Sequence, residues 1–363
     1  MSDNLRRYRA IHAEIRQWYP ATLTGHQARH VITCAALICG IVGSQHTHLD
    51  KVAAKVPLAA KPASRTKRFS RWIANDAITP AIYFLPFAKI LIRSLAHCPL
   101  VFIMDGSTVG RGCLALLLSV VYRGRALPIA WVVVRGCKGH FPADAHLGLL
   151  HQLLPLIPRT ATVLFLGDGE FDSILLQQTL QAAGWEYVCR TASHLPLCVG
   201  EEWLTCADLA VTRGQVVGVA EVGFTRQAYG PVTVIAWWDQ AFAAPIYLVT
   251  NLELVEEACW WYRKRFNIET FFSDQKSRGF HLHKSHVADP QRLLRLLIAA
   301  CLAYLWVIYL GTLAQVEGWV GVIHRTDRCD LSLFQLGLRL LDHFSHEDRP
   351  IPVAFVPLGI PFD

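Results

Sequence analysis

From Leu296 to Ala314 the chain runs for nineteen residues without a charge. A helix of that length has two stable settings: across a bilayer, or enclosed on every side by a large protein core. Tyr304, Tyr309 and Thr312 lie inside the run, and a glycine stands near its end. The other long apolar stretch, 31–43, is too short to span, so the enclosed setting is expected and no membrane partner is. Enclosure demands a big core. Of the 363 residues 53% are hydrophobic and 17% charged, which excludes a disordered chain and supplies that core. Met1 is followed by the polar SDNLRRYRA, which does not resemble a secretory leader. None of the eleven cysteines lies in a C-x-x-C pair, so reduced thiols in a cytosolic compartment are expected.

The net charge of +7 is unevenly placed. Residues 1–100 hold 14 Lys and Arg against 4 Asp and Glu, and the remaining residues hold 21 against 24. A basic leading segment ahead of a slightly acidic body suits a polyanion-binding module before a catalytic one, or a solvated surface. Residues 5–20, 27–43 and 46–60 read as helices. KPASRTKRFSRWIAN follows, where Arg65, Lys67, Arg68 and Arg71 surround Phe69 and Trp72. The aromatics suit core anchors, and the cations suit DNA phosphates.

From Pro99 the texture changes. LVFIMDGS reads as a strand, and Cys113–Tyr122 and Leu127–Val134 as two more around the turn Arg123-Gly124-Arg125. A helix is expected over 144–157, a strand over Thr162–Leu166, a helix over 173–184 and a strand in WEYVCRT. That order specifies a mixed α/β sheet. Residues 195–250 read as a β-rich insertion, with strands at Val216–Val222, Val232–Trp238 and Ile246–Val249. A helix is expected from Glu256 to about Lys276, followed by the long apolar one.

Two of the apolar strands end in an aspartate, Asp105 and Asp168, and in α/β sheets sites collect at the carboxyl ends of strands. No G-x-x-x-x-G-K-[ST] is present, so a P-loop is excluded. The strongest signal is YRKRFNIETFFSDQK. On a continuous helix Tyr262, Arg265, Glu269 and Lys276 fall at about 0°, −60°, −20° and −40°, one narrow face. An Arg265–Glu269 ion pair is the plain structural explanation. Set beside Asp105 and Asp168, however, Glu269 completes three carboxylates. Such a set can hold two Mg²⁺ or Mn²⁺ ions about 3.5–4 Å apart for phosphoryl chemistry. Arg265 and Lys276 then meet the phosphates of a bound strand, and Tyr262 a phosphate oxygen or a base face.

In these residues the chain resembles a DDE transposase of a bacterial insertion sequence, in the insertion-sequence-four group. Tyr262, Arg265, Glu269 and Lys276 match that group's Y-x2-R-x3-E-x6-K signature at every spacing. DGST at Asp105 resembles its first catalytic block. GDGEFD at Asp168 resembles the second, with Gly169 and Glu170 departing from the commoner basic residue. The resemblance covers roughly residues 60–315. It implies a ribonuclease-H-like mixed sheet with a β-rich insertion before the glutamate helix, preceded by a small helical DNA-binding domain. The expected division is 1–95 for the basic helical domain, 96–315 for the catalytic domain with its insertion at about 195–250, and 316–363 for a C-terminal extension serving dimerisation. It further implies metal-dependent cut-and-paste transposition and catalytic, metal-binding roles for Asp105, Asp168 and Glu269. The implied partners are double-stranded DNA, as terminal inverted repeats and target, and a second copy of the chain. The implied place is the bacterial cytoplasm, at the nucleoid. Some members stack a tryptophan of the insertion on a flipped base; Trp237 and Trp238 are the candidates here.

Two other readings stay open on sequence: a metal-dependent nuclease on the same core, and a transposase-derived DNA-binding protein. Weaker features remain. His281, His283 and His286 form HLHKSH, whose spacing permits zinc or, beside Lys284, a phosphate contact. Asp172 reads as the N-cap of the helix that follows it, and His140 as a loop residue able to meet DNA.

Overall fold

The computed structural model describes residues 2–20, 25–136, 141–325 and 328–359; His140 lies outside them. Helices come first: α1 (Asp3–Gln17), α2 (Gly25–Ser44), α3 (Leu49–Ala54), α4 (Pro62–Ile73), α5 (Pro80–Tyr83) and α6 (Leu85–Leu95). The helix expected over 46–60 shrinks to α3. Pro57 cannot continue a helix and keeps the residue before it out of the helical region, while Thr47 is drawn away by donating to His281 O at 3.3 Å.

The sheet then opens with β1 (Leu100–Gly110), β2 (Cys113–Tyr122) and β3 (Arg125–Arg135). Arg123 and Gly124, both at positive φ (42° and 68°), make the tight β2–β3 turn. Next come α7 (Ala143–Leu153), β4 (Val163–Gly167), α8 (Ile174–Ala182) and β5 (Glu186–Thr191). The expected insertion supplies β6 (Pro196–Val199), β7 (Glu202–Thr205), β8 (Val216–Phe224), β9 (Tyr229–Trp237) and β10 (Ile246–Thr250). Among the described residues all ten strands form one sheet, in the order β3-β2-β1-β4-β5-β10-β9-β8-β6-β7. The first five make an antiparallel meander, β1 to β3, joined through β1 to the parallel strands β4 and β5. That is the ribonuclease-H-like arrangement. The insertion does not stand apart: β10 pairs antiparallel with β5 and extends the same sheet.

After the sheet come α9 (Val255–Arg263), α10 (Asn267–Gln275), α11 (Pro290–Val316), α12 (Val320–Ile323) and α13 (Leu333–His346). The single helix expected over 256–276 is interrupted by a 3-10 turn at Lys264–Phe266 and ends before Lys276.

The uncharged run sits in α11, where 89% of the most apolar stretch is buried by α2, β3 and α13. At the α11–α13 crossing the backbones touch: a Cβ on Gly337 would lie 1.9 Å from Val307 O, so glycine is required there. One expectation is corrected. α2 has twenty residues and is also long and apolar enough to cross a membrane by length and composition. The reading of 31–43 stopped short because Gly25–His30 is polar yet still helical. α2 packs on α1 and α11, with Val31–Val42 almost wholly buried. Arg295, buried near the start of α11, donates to Ile73 O and Ile78 O and pairs with Asp76. One continuous apolar core therefore runs from Ile11 in the N-terminal helices to Phe355.

Candidate active site

Parallel pairing places the two aspartates side by side, although only Asp168 follows the end of its strand. β1, expected to end at Asp105, runs on to Gly110, because Asp105–Thr108 stay paired with β2. The β1–β4 register runs to Ile103 opposite Leu166, so two residues further Asp105 stands abreast of Asp168 on the same face. Each carboxylate accepts from a nearby backbone N–H: Asp105 Oδ1 from Gly106 N at 2.7 Å, and Asp168 Oδ1 from Glu170 N at 2.9 Å. The third carboxylate arrives from the opposite direction. Arg265, in the 3-10 turn, donates to Asp105 Oδ2 at 3.3 Å and to Glu269 Oε1 at 3.4 Å. One guanidinium thus ties β1 to α10.

The electrostatics show what this arrangement costs. Burial pushes the Asp105 carboxyl up to about 6, and the neighbouring Asp168 and Glu269 charges add to that push against the pull of Arg265. Both Arg265 contacts are long, and its buried Nε has no partner. The cluster holds more negative charge than its cation quenches, and that cation is itself under-bonded. Three carboxylates are hard oxygen donors, and an excess of negative charge that is only partly exposed fits a divalent cation of the Mg²⁺ class. Among the described residues no three acidic, His or Cys side chains yet stand close enough to grip one ion; Arg265 lies between Asp105 and Glu269.

Tyr262 and Lys276 complete the signature, though not on one helix face as expected. Tyr262 is buried in α9. Burial raises its hydroxyl to about 12, with Arg265 and Arg190 countering and Asp168 adding, so it is a neutral donor beside the second aspartate. Lys276 lies beyond the end of α10 yet reaches back to Ser107 Oγ on β1, two residues from Asp105. Burial lowers its ammonium, and the Asp105 charge partly restores it.

The four basic residues of α4 divide. Arg65 donates to Ala60 O and Ala53 O, and Arg68 to Thr33 Oγ1. Lys67 and Arg71 are exposed, while Phe69 and Trp72 are buried as anchors. None of the four is among the charges that act on Asp105. Asp172 is not the N-cap of α8. Ser173 takes that role, accepting from Leu176 N, because Asp172 instead accepts from Thr191 Oγ1 at 2.7 Å. Trp237 is buried under the Arg263 guanidinium, 5.2 Å away, and Trp238 donates to Phe242 O.

Reasoning from sequence missed the support behind the aspartates. The Glu170 carboxylate accepts from Phe141 N and stands 3.2 Å from Nε2 of the buried His146 on α7. Phe141 in turn lies so close to Gly106 that a Cβ there would meet its ring at 2.6 Å. The second block is thereby pinned to the β3–α7 connection and, through Phe141, to the first block. Glu170 faces inward, which accounts for its departure from a basic residue. Its place in GDGEFD was the available signal; His146, 24 positions away, had none.

Such a sheet with carboxylates gathered beside its central strands defines a class of phosphoryl-transfer proteins, and comparison with known proteins makes the class particular. Residues 97–306 match the family described as the transposase DDE domain. The match spans more than half of the chain, which therefore belongs to the DDE transposase family, a family that uses divalent metal ions. No curated protein matches the chain. Among solved structures, the piggyBac transposase in a synaptic complex with hairpin DNA is similar at 14% identity and a TM-score of 0.45. That alignment covers 98% of this chain and 83% of the other. Human ENDOV aligns at 13% identity and a TM-score of 0.24, over 61% of this chain and 95% of the other.

Proposed function

We propose that this transposase cuts DNA at the ends of a mobile element and transfers the cut strands to a target, in the manner of the insertion-sequence-four group. Asp105, Asp168 and Glu269 are its catalytic carboxylates. The carrying observation is geometric: Arg265 bridges Asp105 and Glu269, and the β1–β4 register sets Asp105 beside Asp168. The three would hold two Mg²⁺ or Mn²⁺ ions, which supply activation of the attacking oxygen and stabilisation of the leaving one.

The remaining roles belong to the protein's own side chains. Arg265 balances the carboxylates while the site is empty of DNA, and its free Nε and long contacts leave it ready to turn to a phosphate. Lys276, held at Ser107, places a point charge beside the scissile strand. Tyr262, a neutral phenol, donates to a phosphate oxygen near Asp168. Glu170 and His146 fix the second block. Lys67 and Arg71 face solvent and suit phosphates of the flanking duplex. Each element has two ends to be cut and joined, so a homodimer on paired DNA ends is the acting form, at the nucleoid of a bacterial cytoplasm.

The test uses the full chain with DNA taken from just outside its own gene, where the terminal repeats would lie. Incubated with Mg²⁺, the protein should cut at a defined position at each repeat and join the new 3′ ends to a plasmid. Cutting without joining would favour the nuclease reading. Sequence-selective binding with no cutting in Mg²⁺ or Mn²⁺ would favour a DNA-binding protein.

A further inference from the structure

The three histidines of HLHKSH are joined in the fold by two more from the far end of the chain. His46 and His281 have ring centroids 5.1 Å apart, and His48 and His286 lie at 5.0 Å. His46 to His48 is 6.2 Å, and His281 to His283 is 6.0 Å. The link is structural as well as spatial, because Thr47 donates to His281 O and His281 N donates to Lys276 O at 2.9 Å. The cluster thus begins where the lysine of the catalytic signature ends. His46 Nδ1 accepts from His48 N at 2.9 Å, but the buried Nδ1 atoms of both His48 and His281 have no hydrogen-bond partner. On its outer side His283, Lys284 and His286 are exposed.

The surrounding charges decide what such a cluster can receive. From the α2–α3 side Lys51 acts on His46 and His281; from the α10–α11 side Lys284 acts on His46, His281 and His283, and Lys276 on His283. Arg135, at the end of β3, and Arg292, in the first turn of α11, line a cavity of about 430 Å³ with His48 and His286. The facing acids are Asp50 and Asp289, and both are engaged. Asp50 accepts from Thr66 Oγ1 at 2.8 Å and stands 3.9 Å from His48, and Asp289 caps α11. A dication is repelled by this setting, and no three of the described side chains stand close enough to hold one. A polyanion is attracted.

We propose that His48, His281, His283 and His286, braced by His46, form a proton-coupled contact for the phosphate backbone of bound DNA, continuing the track that starts at Lys276. The inference rests on the DNA-processing function proposed above. Partial burial and the neighbouring Lys284, His281 and Lys276 push the exposed His283 down, so the free protein favours its neutral form. A phosphate laid across the cluster reverses that balance and favours imidazolium, so DNA binding takes up protons. The sign follows. The bound state has the higher pKa, so affinity rises as pH falls from the alkaline side, by up to about tenfold per pH unit for each proton taken up. The rise levels off below the pKa of the free protein.

The experiment measures binding of a labelled random-sequence duplex to the full chain in EDTA, at fixed ionic strength, from pH 8 down to pH 6. Wild type should bind about tenfold more tightly at the acid end. The double substitution His283→Ala and His286→Ala, both on the exposed side, should flatten that dependence. Calorimetry in buffers of unlike ionisation heat should show proton uptake in wild type and less in the variant. Binding with no pH dependence, or equal pH dependence in both proteins, overturns the proposal. So does tight one-to-one binding of Zn²⁺ that His281→Ala removes, which would make the cluster a metal site. Failure of wild type to bind duplex at any pH would instead bring down the DNA-processing reading itself.

Discussion

Asp105 on β1 and Asp274 on α10 each stand beside an arginine, one partly buried and the other buried. Burial pushes both carboxyls up to about 6. They differ in company. Asp274 pairs with Arg125 at 2.9 Å, both side chains are nearly enclosed, and Arg125 and Arg278 pull its carboxyl back down. Asp105 pairs with Arg265 at a longer 3.3 Å, beside two more carboxylates that push it further up, and Glu269 among them is half exposed. The first arrangement is closed and spends its charges on holding α10 to the β2–β3 turn. The second is open, over-charged and under-bonded. The same residue pair is cement in one place and a receptive site in the other, and the third and fourth groups make the difference.

The comparison can be broken most sharply at Glu269. Glu269→Gln should reduce strand cleavage by at least about a thousandfold, the scale on which single groups that stabilise developing charge count. Duplex binding should stay within a factor of a few. Near-normal cutting in Mg²⁺ would remove Glu269 from the site. Asp274 would be no substitute, being committed to Arg125, nor would Glu257, which accepts from Trp261 on the protein surface.

The closed pair should respond in stability instead. Arg125→Met leaves Asp274 buried and unpaired, and should cost about 3–5 kcal/mol in denaturant unfolding. Cleavage per folded molecule should be unchanged. If cleavage falls more than stability, the two pairs are not separate in function.

Asp105→Asn should do the reverse. Ionising a partly buried carboxyl whose pKa is raised from 3.8 to about 6 weakens the fold as pH climbs through that interval. The substitution removes the penalty. Metal-free protein should gain on the order of 3 kcal/mol above pH 6, and that gain should vanish as pH falls to about 4. Thermal melts in EDTA at both ends of the range would check it; a loss of stability at neutral pH would show that Arg265 compensates the Asp105 charge in full. The smallest effect is expected from Lys276→Ala. It should lower the slope of log affinity against log salt by about one phosphate contact and slow cleavage without abolishing it.

Much of this was legible along the chain because it rests on short-range pattern. The apolar runs before Asp105 and Asp168 are strands, though β1 continues past Asp105 to Gly110 through its pairing with β2, and the uncharged 296–314 run had to be enclosed. The signature spacing named Arg265 and Glu269, which do meet. What failed was whatever needed partners from elsewhere. The helical wheel assumed an unbroken helix, yet the 3-10 turn at Lys264–Phe266 and the end of α10 at Gln275 displace Tyr262 and Lys276 from the shared face. Lys276 reaches its place from a loop. Asp172 looked like a cap until Thr191, nineteen positions on, claimed it. No local pattern could announce that His46 would lie against His281, or that β10 would join β5.

The packing of α2 on α11, with Arg295 bonded to the backbone that follows α4, also bears on inheritance. A recognition module on a free linker can be exchanged between relatives whole. Here a graft of the N-terminal helices would have to carry a matching face for α11, or the catalytic half would lose part of its own interior. On the proposed function, in which Lys67 and Arg71 meet DNA, changes in which ends are recognised would be channelled into such exposed positions, one substitution at a time, rather than through shuffling of parts.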